Sequence, residues 1–285
     1  MTAGAALIGR DHHQAGILSL LGRERLVTIT GAGGVGKSAL ARAVAARYDP
    51  GACLVDLDTV PAAAGPRHQL DPPWGGYPPP RLLVLDTCDH MIDACVDLVE
   101  RLLHGFPDLR VLVTGREVMG IPGEHVVAAM PLYEHDVPTL FRRRSGGLPH
   151  EPDVLARLEG LPLAIEIAAE HLLTPERLAG MLDDGSFYDL PAGPSHPARH
   201  TTMRAAAAWS HDQCQPLDTV VWERLAAFGS SFGLDDAEEA LRGCRPADAS
   251  EAVARLVERS ILLVDSAAPD GRWYRMPSYL RAFTK

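Results

Sequence analysis

The chain has 285 residues, and 37 acidic side chains against 27 basic ones give it a formal net charge of −10. This length suits one large domain or two to three compact ones. The acidic balance excludes a protein whose main work is to coat nucleic acid or anionic membrane, because phosphate binding needs a basic surface. With no apolar run of membrane-spanning length and no signal peptide, we expect a soluble, cytoplasmic protein.

The first 133 residues predict an α/β domain with a parallel sheet. Five nearly continuous apolar runs predict strands at residues 25–30, 53–58, 81–86, 109–114 and 125–130. Such runs are typical of parallel strands that are covered on both faces. Helical spacing over residues 38–48 and 90–104 supplies crossover helices. Seven prolines between residues 59 and 80 exclude a regular helix there, so we expect a proline-rich loop at 59–80.

Residues 134–285 predict helices almost throughout. The first group, at about 134–144, 151–159, 162–173 and 175–183, predicts a small helical domain over residues 134–195. A stretch rich in Gly, Pro, Ser and His at 185–200 marks a boundary. The second group of predicted elements lies over residues 196–285: helices near 201–210, 216–227, 235–242 and 248–259, a strand at 261–264, a turn at 269–271 and a strand at 272–276. Helices followed by a hairpin predict a winged-helix domain.

The strongest motif is GAGGVGKS at residues 31–38, which fits GxxxxGK[ST] between a predicted strand and a predicted helix. Glycines allow backbone N–H groups to converge on phosphate, Lys37 reaches the outer phosphates and Ser38 can ligate Mg²⁺. Only Lys37 and Lys285 among the 27 basic residues are lysines. A lysine at the one position that requires an ammonium supports a phosphate-binding loop.

Two further candidates follow apolar strands. Asp86 ends the run LLVLD, where a Walker B carboxylate would lie beside the phosphate loop and hold Mg²⁺ through water. The next residue is Thr87 rather than an acid, so Asp89 is either the water-activating carboxylate or an N-cap of the helix beginning at residue 90. Arg116 follows the strand at 109–114, where it is either a γ-phosphate sensor or a solvated side chain.

Several phrases resemble one known family. LIGRD at 7–11 resembles its VGRE motif, LLVLDTCDH at 82–90 its LLVLDNCEH segment, and VLVTGREVMGIPGE at 111–124 its VLATSREPLGVPGE segment. GLPLAIE at 160–166 and TTMRAAAAWS at 201–210 are equally similar. The chain resembles the NB-ARC core of STAND-class ATPases, in the bacterial branch of SARP-type and LuxR-type transcriptional regulators.

The resemblance implies three parts, namely a P-loop nucleotide-binding domain at 1–133, a helical domain at 134–195 and a winged-helix domain at 196–285. It implies a switch that is closed over ADP and opened, or self-associated, with ATP and Mg²⁺. Lys37, Asp86, Asp89 and Arg116 are then the candidate catalytic residues, and Ser38 and Asp86 the Mg²⁺ ligands. The implied nucleotide-binding residues are Ile8, Arg10, Gly33, Gly34, Val35, Gly36, Lys37, Ser38, Ala39 and Pro162.

The sequence departs from the family at three places. Between the second strand and the Walker B strand the family usually has a helix and further residues, where this chain has its proline-rich segment at 59–80, so we expect that edge of the sheet to be reduced. Thr87 stands in place of a second acid, which puts ATP hydrolysis in question. Met276-Pro277-Ser278 stands where relatives carry Met-His-Asp. Pro162 also has an ordinary explanation, because proline is favoured in the first turn of any helix.

Other chemistries find little support. The five cysteines show no CxxC spacing and the twelve histidines no paired metal spacing, so we expect neither a disulfide framework nor a zinc site. Residues 250–259 mix acids and arginines, which favours a lid on the nucleotide over a DNA reader. Residues 142–144 form an arginine cluster that is either a solvated helix end or a contact for phosphate or a partner.

Three hypotheses remain from the sequence: a nucleotide switch with slow ATP hydrolysis that acts through a protein partner or an effector domain, a hydrolysis-deficient ADP-binding module, and a metabolic P-loop kinase. The predicted helical and winged-helix parts argue against the kinase, for which no acceptor site is evident. Since no effector domain is recognisable, we expect either the core of a larger regulator or a protein that acts in trans.

Overall fold

The computed structural model describes residues 7–48, 51–60, 79–194, 196–229, 231–243, 245–264 and 273–284. The chain divides into two compact units, one of residues 1–31 and 36–130 and the other of residues 32–35 and 131–285. Most of the proline-rich segment at 59–80, the turn at 269–271 and Cys244 lie outside the described residues.

The first unit is an α/β structure around a five-stranded parallel sheet. Its elements are α1 (Asp11–Leu21), β1 (Leu26–Thr30), α2 (Lys37–Tyr48), β2 (Ala52–Asp56), β3 (Leu82–Asp86), α3 (Ile92–Gly105), β4 (Arg110–Thr114) and β5 (Glu124–Ala128). The strand order is β2-β3-β4-β1-β5, and each neighbouring pair is parallel. The predicted parallel α/β core is confirmed.

Burial follows the position of each strand in the sheet. Every residue of β1 and β3 is buried, whereas the edge strands β2 and β5 are partly exposed. One face of the sheet packs against α3 through Leu83, Leu85, Val111 and Val113. The apolar positions of α3 recur every three or four residues, and those that are buried there are Cys95, Leu98, Val99 and Leu102.

Two details of this unit differ from the sequence reading. Helix α1 was not predicted, because its first turn carries the polar residues Asp11, His12 and His13 and its apolar spacing is weak. Asp89 begins a 3₁₀ turn, Asp89–Met91, and α3 has Met91 at its N-cap position. The N-cap reading of Asp89 is therefore wrong.

The second unit is mainly helical. Its elements are α4 (Val137–Ser145), α5 (Pro152–Ala156), α6 (Pro162–Glu170), α7 (Pro175–Asp184), α8 (Met203–Asp212), α9 (Pro216–Leu225), β6 (Phe232–Gly233), α10 (Leu234–Ala240), α11 (Pro246–Glu258), β7 (Leu263–Val264), β8 (Trp273–Arg275) and α12 (Ser278–Phe283). Several helices begin with proline, which lacks the N–H that the first turn would leave without a partner.

The last part of this unit combines helices with a small antiparallel sheet of order β6-β8-β7. The predicted strands at 261–264 and 272–276 correspond to β7 and β8, while β6 and α12 were not predicted. Trp222 is fully buried in α9, and its indole N–H donates to the carbonyl of Leu280 in α12 at 3.2 Å. The assignment of residues 134–195 and 196–285 to helical and winged-helix domains stays a prediction.

In the described part of the chain, no helix combines the length and the apolar character needed to cross a lipid bilayer.

An internal ion pair joins α9 to α11. Asp218 has no exposed surface, and its Oδ1 accepts hydrogen bonds from Arg255 Nε at 3.0 Å and Nη2 at 2.6 Å. The same carboxylate accepts from the backbone N–H of Gln215 at the start of α9. Because a buried carboxylate is costly without a cationic partner, this pair fixes the packing of the two helices.

We expect Asp218→Asn to lower the free energy of unfolding by about 2 kcal/mol, since it removes the buried carboxylate that accepts hydrogen bonds from Arg255. Urea denaturation followed by circular dichroism measures the change. Glu223→Gln, at an exposed position of the same helix, is the matched control and should change stability by less than about 0.5 kcal/mol. Equal stability of Asp218→Asn and the control would contradict the role of the pair.

A second ion pair joins α6 to the segment that follows α7. Glu166 accepts from Arg144 Nη2 at 2.6 Å and lies 3.3 Å from His196 Nε2, while His196 Nδ1 lies 3.1 Å from the carbonyl of Gly193. The hydrogen bond to Glu166 raises the pKa of His196. Burial would raise the pKa of Glu166, but hydrogen bonds and charge from His196 and Arg144 outweigh it and lower that pKa. Glu170 adds negative charge near His196.

A raised histidine pKa stabilises the fold below the unfolded pKa of about 6.5, and this contribution is lost as pH rises through the folded value. We therefore expect His196→Gln to cost about 1 kcal/mol of unfolding free energy at pH 5.5 and much less at pH 8.5. Urea denaturation at both pH values tests this. His135→Gln, at an exposed histidine, should show little difference, and a cost of His196→Gln that is the same at both pH values would be inconsistent with the pairing.

Candidate functional site

The flanks of the phosphate loop belong to the first unit. Gly31 and Gly36 have φ angles of 144° and 95°, which side chains rarely permit, and α2 begins directly afterwards at Lys37. The Lys37 ammonium donates to the carbonyl of Gly31 at 2.7 Å. The lysine thus lies back along the loop at the N-terminus of a twelve-residue helix, where the macrodipole favours an anion.

The middle of the loop, Ala32–Val35, belongs to the second unit and is held there by specific contacts. The N–H of Leu163 donates to the carbonyl of Gly34 at 3.2 Å, and the Tyr279 hydroxyl donates to the carbonyl of Gly33 at 3.3 Å. Gly34 has a φ of 77°, and a Cβ there would lie 2.9 Å from Leu163 Cβ. Backbone conformation and close packing therefore both require glycine at position 34.

Asp86 ends β3 with no exposed surface. Its Oδ1 accepts from the Thr114 hydroxyl at 2.6 Å, and Thr114 Oγ1 in turn accepts from the N–H of Thr87 at 2.9 Å. Thr87 itself has a φ of 69°, which is uncommon for a β-branched residue. The two neighbouring strand ends are thereby tied together around one buried carboxylate.

Sequence reasoning missed two residues at this carboxylate. Arg42 Nη2 lies 3.0 Å from Asp86 Oδ2 and 3.2 Å from Asp56 Oδ2. Two signals were present. Asp56 ends β2 in register with Asp86 on β3, and Arg42 follows Ser38 by four residues, which places both on one face of α2.

Asp89 and Arg116 lie together after β3 and β4. The backbone N–H of Arg116 donates to Asp89 Oδ1, and the Arg116 side chain is only 6% exposed. A solvated side chain is therefore excluded for Arg116, and Asp89 orders the backbone of the residue predicted to be a sensor. Their roles toward a nucleotide stay predictions.

The other predicted residues fall into both units. In the first unit Ile8 and Ser38 are half-buried and Ala39 is exposed, while Arg10 is 4% exposed and donates to the carbonyl of Met130 at 2.6 Å. In the second unit Val35 is buried and Pro162, half-buried, is the first residue of α6.

The donors in the first unit fit a phosphate with Mg²⁺. They comprise an ammonium and a hydroxyl at a helix N-terminus, from Lys37 and Ser38, and the buried carboxylate of Asp86. Hard oxygen ligands of this kind are those that Mg²⁺ prefers, usually together with water and phosphate oxygens.

No family model matches the sequence. The chain is 32% identical over 301 residues to the "Putative HTH-type transcriptional regulator Rv0890c" of Mycobacterium tuberculosis, an alignment that covers 93% of this chain and 34% of the regulator. The chain thus spans about a third of that relative's length.

A solved structure and a shorter relative match over more of their length. The Walker-type ATPase PABY2304 of Pyrococcus abyssi superposes with a TM-score of 0.57 at 13% identity, covering 98% of this chain and 95% of that one, which shows a shared P-loop ATPase fold. The uncharacterized protein Rv0894 of Mycobacterium tuberculosis is 32% identical over 271 residues, covering 82% of this chain and 68% of its own length. The chain therefore belongs to the protein family of Rv0894.

Proposed function

We propose that the chain is a nucleotide-dependent molecular switch, the NB-ARC regulatory ATPase core of a bacterial transcriptional regulator, with slow ATP hydrolysis. The observation that carries the proposal is the start of α2, where Lys37 and Ser38 of the motif GAGGVGKS lie in the same unit as the buried carboxylate of Asp86. The relative named as a regulator and the family phrases quoted above support the regulatory part.

Different residues of the proposed switch bind the phosphates, hold Mg²⁺ and sense the γ-phosphate. Loop N–H groups and Lys37 bind the phosphates, and Ser38 and Asp86 hold Mg²⁺. Bound Mg²⁺ would offset the negative charge of the phosphates. Arg116 senses the γ-phosphate, and Asp89 keeps its backbone in place. Thr87 provides no carboxylate to activate water, so Asp89 is left as the candidate base and turnover is slow.

Two observations favour a second candidate, the hydrolysis-deficient module that retains ADP and acts on a partner protein. Thr87 stands at the position of the second acid, and its backbone is committed to Thr114. The carboxylate of Asp86 is already paired with Arg42. Neither arrangement prevents nucleotide binding, but both slow the chemical step.

The proposed partner of the switch is a protein or an effector domain rather than nucleic acid. On α11, Arg255 is paired with Asp218, and the Arg259 side chain donates to the carbonyl of Gln213. Of the arginine cluster at 142–144, Arg144 is paired with Glu166. These guanidinium groups are engaged within the fold, so the phosphate contacts expected of a DNA reader are not supported. We place the switch in the cytoplasm and propose self-association in its ATP state.

The last helix is proposed to act as a lid. The Met276-Pro277-Ser278 sequence lacks the family's histidine, but the N–H of Ser278 donates to Glu159 Oε2 at 2.8 Å and Arg275 pairs with Glu159 Oε1 at 3.4 Å. These bonds fix the start of α12, from which the Tyr279 hydroxyl donates to Gly33. In this proposal Glu159 and Tyr279 take the place of the missing histidine by holding α12 beside the loop.

Nucleotide binding is tested first by denaturing the purified protein and identifying any released nucleotide, then by equilibrium dialysis with radiolabelled ADP. We expect Lys37→Ala to weaken ADP binding by about 10- to 100-fold, since it removes charge-assisted bonds to phosphate. Arg47→Ala, later on the same helix, is the control and should bind like the wild type. Absence of any ATP or ADP binding by the wild type would refute both candidate functions.

Single-turnover ATP hydrolysis separates the two candidates. If the chain is a hydrolysing switch, Asp86→Asn lowers the rate well below that of the wild type, because the metal-holding carboxylate is lost. Wild-type turnover no higher than that of Lys37→Ala and Asp86→Asn would leave only the ADP-retaining module.

The lid is tested by Tyr279→Phe, which removes the hydroxyl and leaves the ring in place. Loss of one hydrogen bond to the loop should speed ADP release by about 2- to 10-fold. Release is measured by chasing radiolabelled ADP with unlabelled ADP. Tyr274→Phe on β8 is the matched control, and an unchanged release rate in Tyr279→Phe would rule out a lid held by this hydroxyl.

A further inference from the structure

The Asp86 carboxylate is fully buried, yet its neutralising partner is a half-exposed side chain. Thr114 donates to Oδ1, and Arg42 Nη2 lies 3.0 Å from Oδ2. The Arg42 side chain is 51% exposed. Burying a carboxylate without a cation is strongly unfavourable, so Arg42 satisfies the charge requirement of Asp86 without any metal.

Arg42 has a second carboxylate within reach. Asp56 Oδ2 lies 3.2 Å from the same Nη2, and the Asp56 side chain is 36% exposed. Asp56 Oδ1 accepts from the N–H of Asp58, which fixes the direction of the carboxylate. Because Asp56 and Asp86 end neighbouring parallel strands in register, the guanidinium lies between one buried and one exposed acceptor.

Arg42 contacts the same carboxylate that is proposed to hold Mg²⁺. Ser38 and Arg42 share a face of α2 one turn apart, and Asp86 is both the carboxylate proposed to hold Mg²⁺ and the one that Arg42 contacts. A guanidinium stays charged at every physiological pH. Two cations beside one buried carboxylate repel each other more strongly than they would in water, so Mg²⁺ bound at Asp86 would weaken the contact with Arg42.

We propose that Arg42 is a tethered cation that occupies Asp86 when Mg²⁺ is absent and transfers to Asp56 when Mg²⁺ enters with the nucleotide. Arg42 is then a positioning residue. It sets the Mg²⁺ concentration at which metal-dependent nucleotide binding is half-maximal. This inference rests on the proposed nucleotide site. It also explains how a buried carboxylate is tolerated before the ligand arrives.

Substitutions of Arg42 and of Asp56 should shift the Mg²⁺ dependence of ADP binding in opposite directions. Removing the competitor in Arg42→Met should lower the Mg²⁺ concentration at half-maximal metal-dependent ADP binding, by about 3- to 10-fold. Removing the receiving group in Asp56→Asn should raise this midpoint by about 2- to 3-fold, because the displaced guanidinium loses its second partner. An ion pair with a purely structural role predicts no change of midpoint in either variant.

The experiment is equilibrium dialysis of radiolabelled ADP against wild type, Arg42→Met, Asp56→Asn and the control Arg47→Met over a series of Mg²⁺ concentrations. Arg47 lies on the same helix and its side chain donates to Gln14, away from Asp86; its midpoint should equal that of the wild type. Asp56 is partly exposed, so Asp56→Asn gives a folded test even if Arg42→Met does not fold.

Each outcome is decisive. A lower midpoint in Arg42→Met and a higher one in Asp56→Asn support the transfer of Arg42 from Asp86 to Asp56. ADP binding with midpoints in Asp56→Asn and any folded Arg42→Met that equal the wild-type value overturns this inference and leaves the proposed function standing. No ADP binding by the wild type at any Mg²⁺ concentration overturns the proposed function and this inference with it.

Discussion

The first unit is organised around a single buried negative charge. Asp86 has no contact with water, and the free-energy cost of such a carboxylate is offset by the Thr114 hydroxyl and the Arg42 guanidinium. Those two partners come from β4 and α2, so one charge ties together the sheet centre and the helix that follows the phosphate loop. The hydroxyl of Thr114 also accepts from Thr87, which holds the backbone after Asp86 at a positive φ.

In the second unit, arginine side chains form the ion pairs that join helices and neighbouring segments. Nearly all basic residues of the chain are arginine, and several of the described ones pair with carboxylates of the same unit. Arg255 pairs with a buried aspartate, Arg144 holds Glu166, and Arg204 pairs with Asp189 at 2.6 Å. Bidentate guanidinium pairs stabilise helix packing in ways that an ammonium would not. In the first unit, by contrast, Lys37 is a lysine at the position where a point charge on a flexible stem suits phosphate.

The amount that could be predicted from sequence differs between local and tertiary features. Strands β1, β3 and β4 were predicted to within about one residue, because each is a continuous apolar run bounded by a turn. Helix α12 was missed because its six residues follow a proline directly and are too few to show a period. The phosphate loop and Asp86 were found from motifs with fixed local chemistry. The Arg42–Asp86 contact was not, because it joins residues 44 positions apart and no local pattern records it.

The contacts of the phosphate loop with distant residues could likewise not be predicted from the motif. A motif indicates which residue types bind a phosphate, but not which other groups contact the loop. Leu163 donates to Gly34 and Tyr279 donates to Gly33, and these donors lie 129 and 246 positions away in sequence. Such contacts depend on packing that only a three-dimensional structure displays.

The hydrogen bond from the Trp222 indole to the carbonyl of Leu280 gives the molecule an optical reporter of its own. Trp222 has no exposed surface, and Phe283 of α12 lies with its ring centroid 6.1 Å away. If α12 leaves its place, the indole loses its acceptor and meets water, and its emission shifts to longer wavelength. Since the chain has four tryptophans, a variant with Trp74, Trp209 and Trp273 replaced by Phe would let the emission of Trp222 follow the position of α12 without an added label.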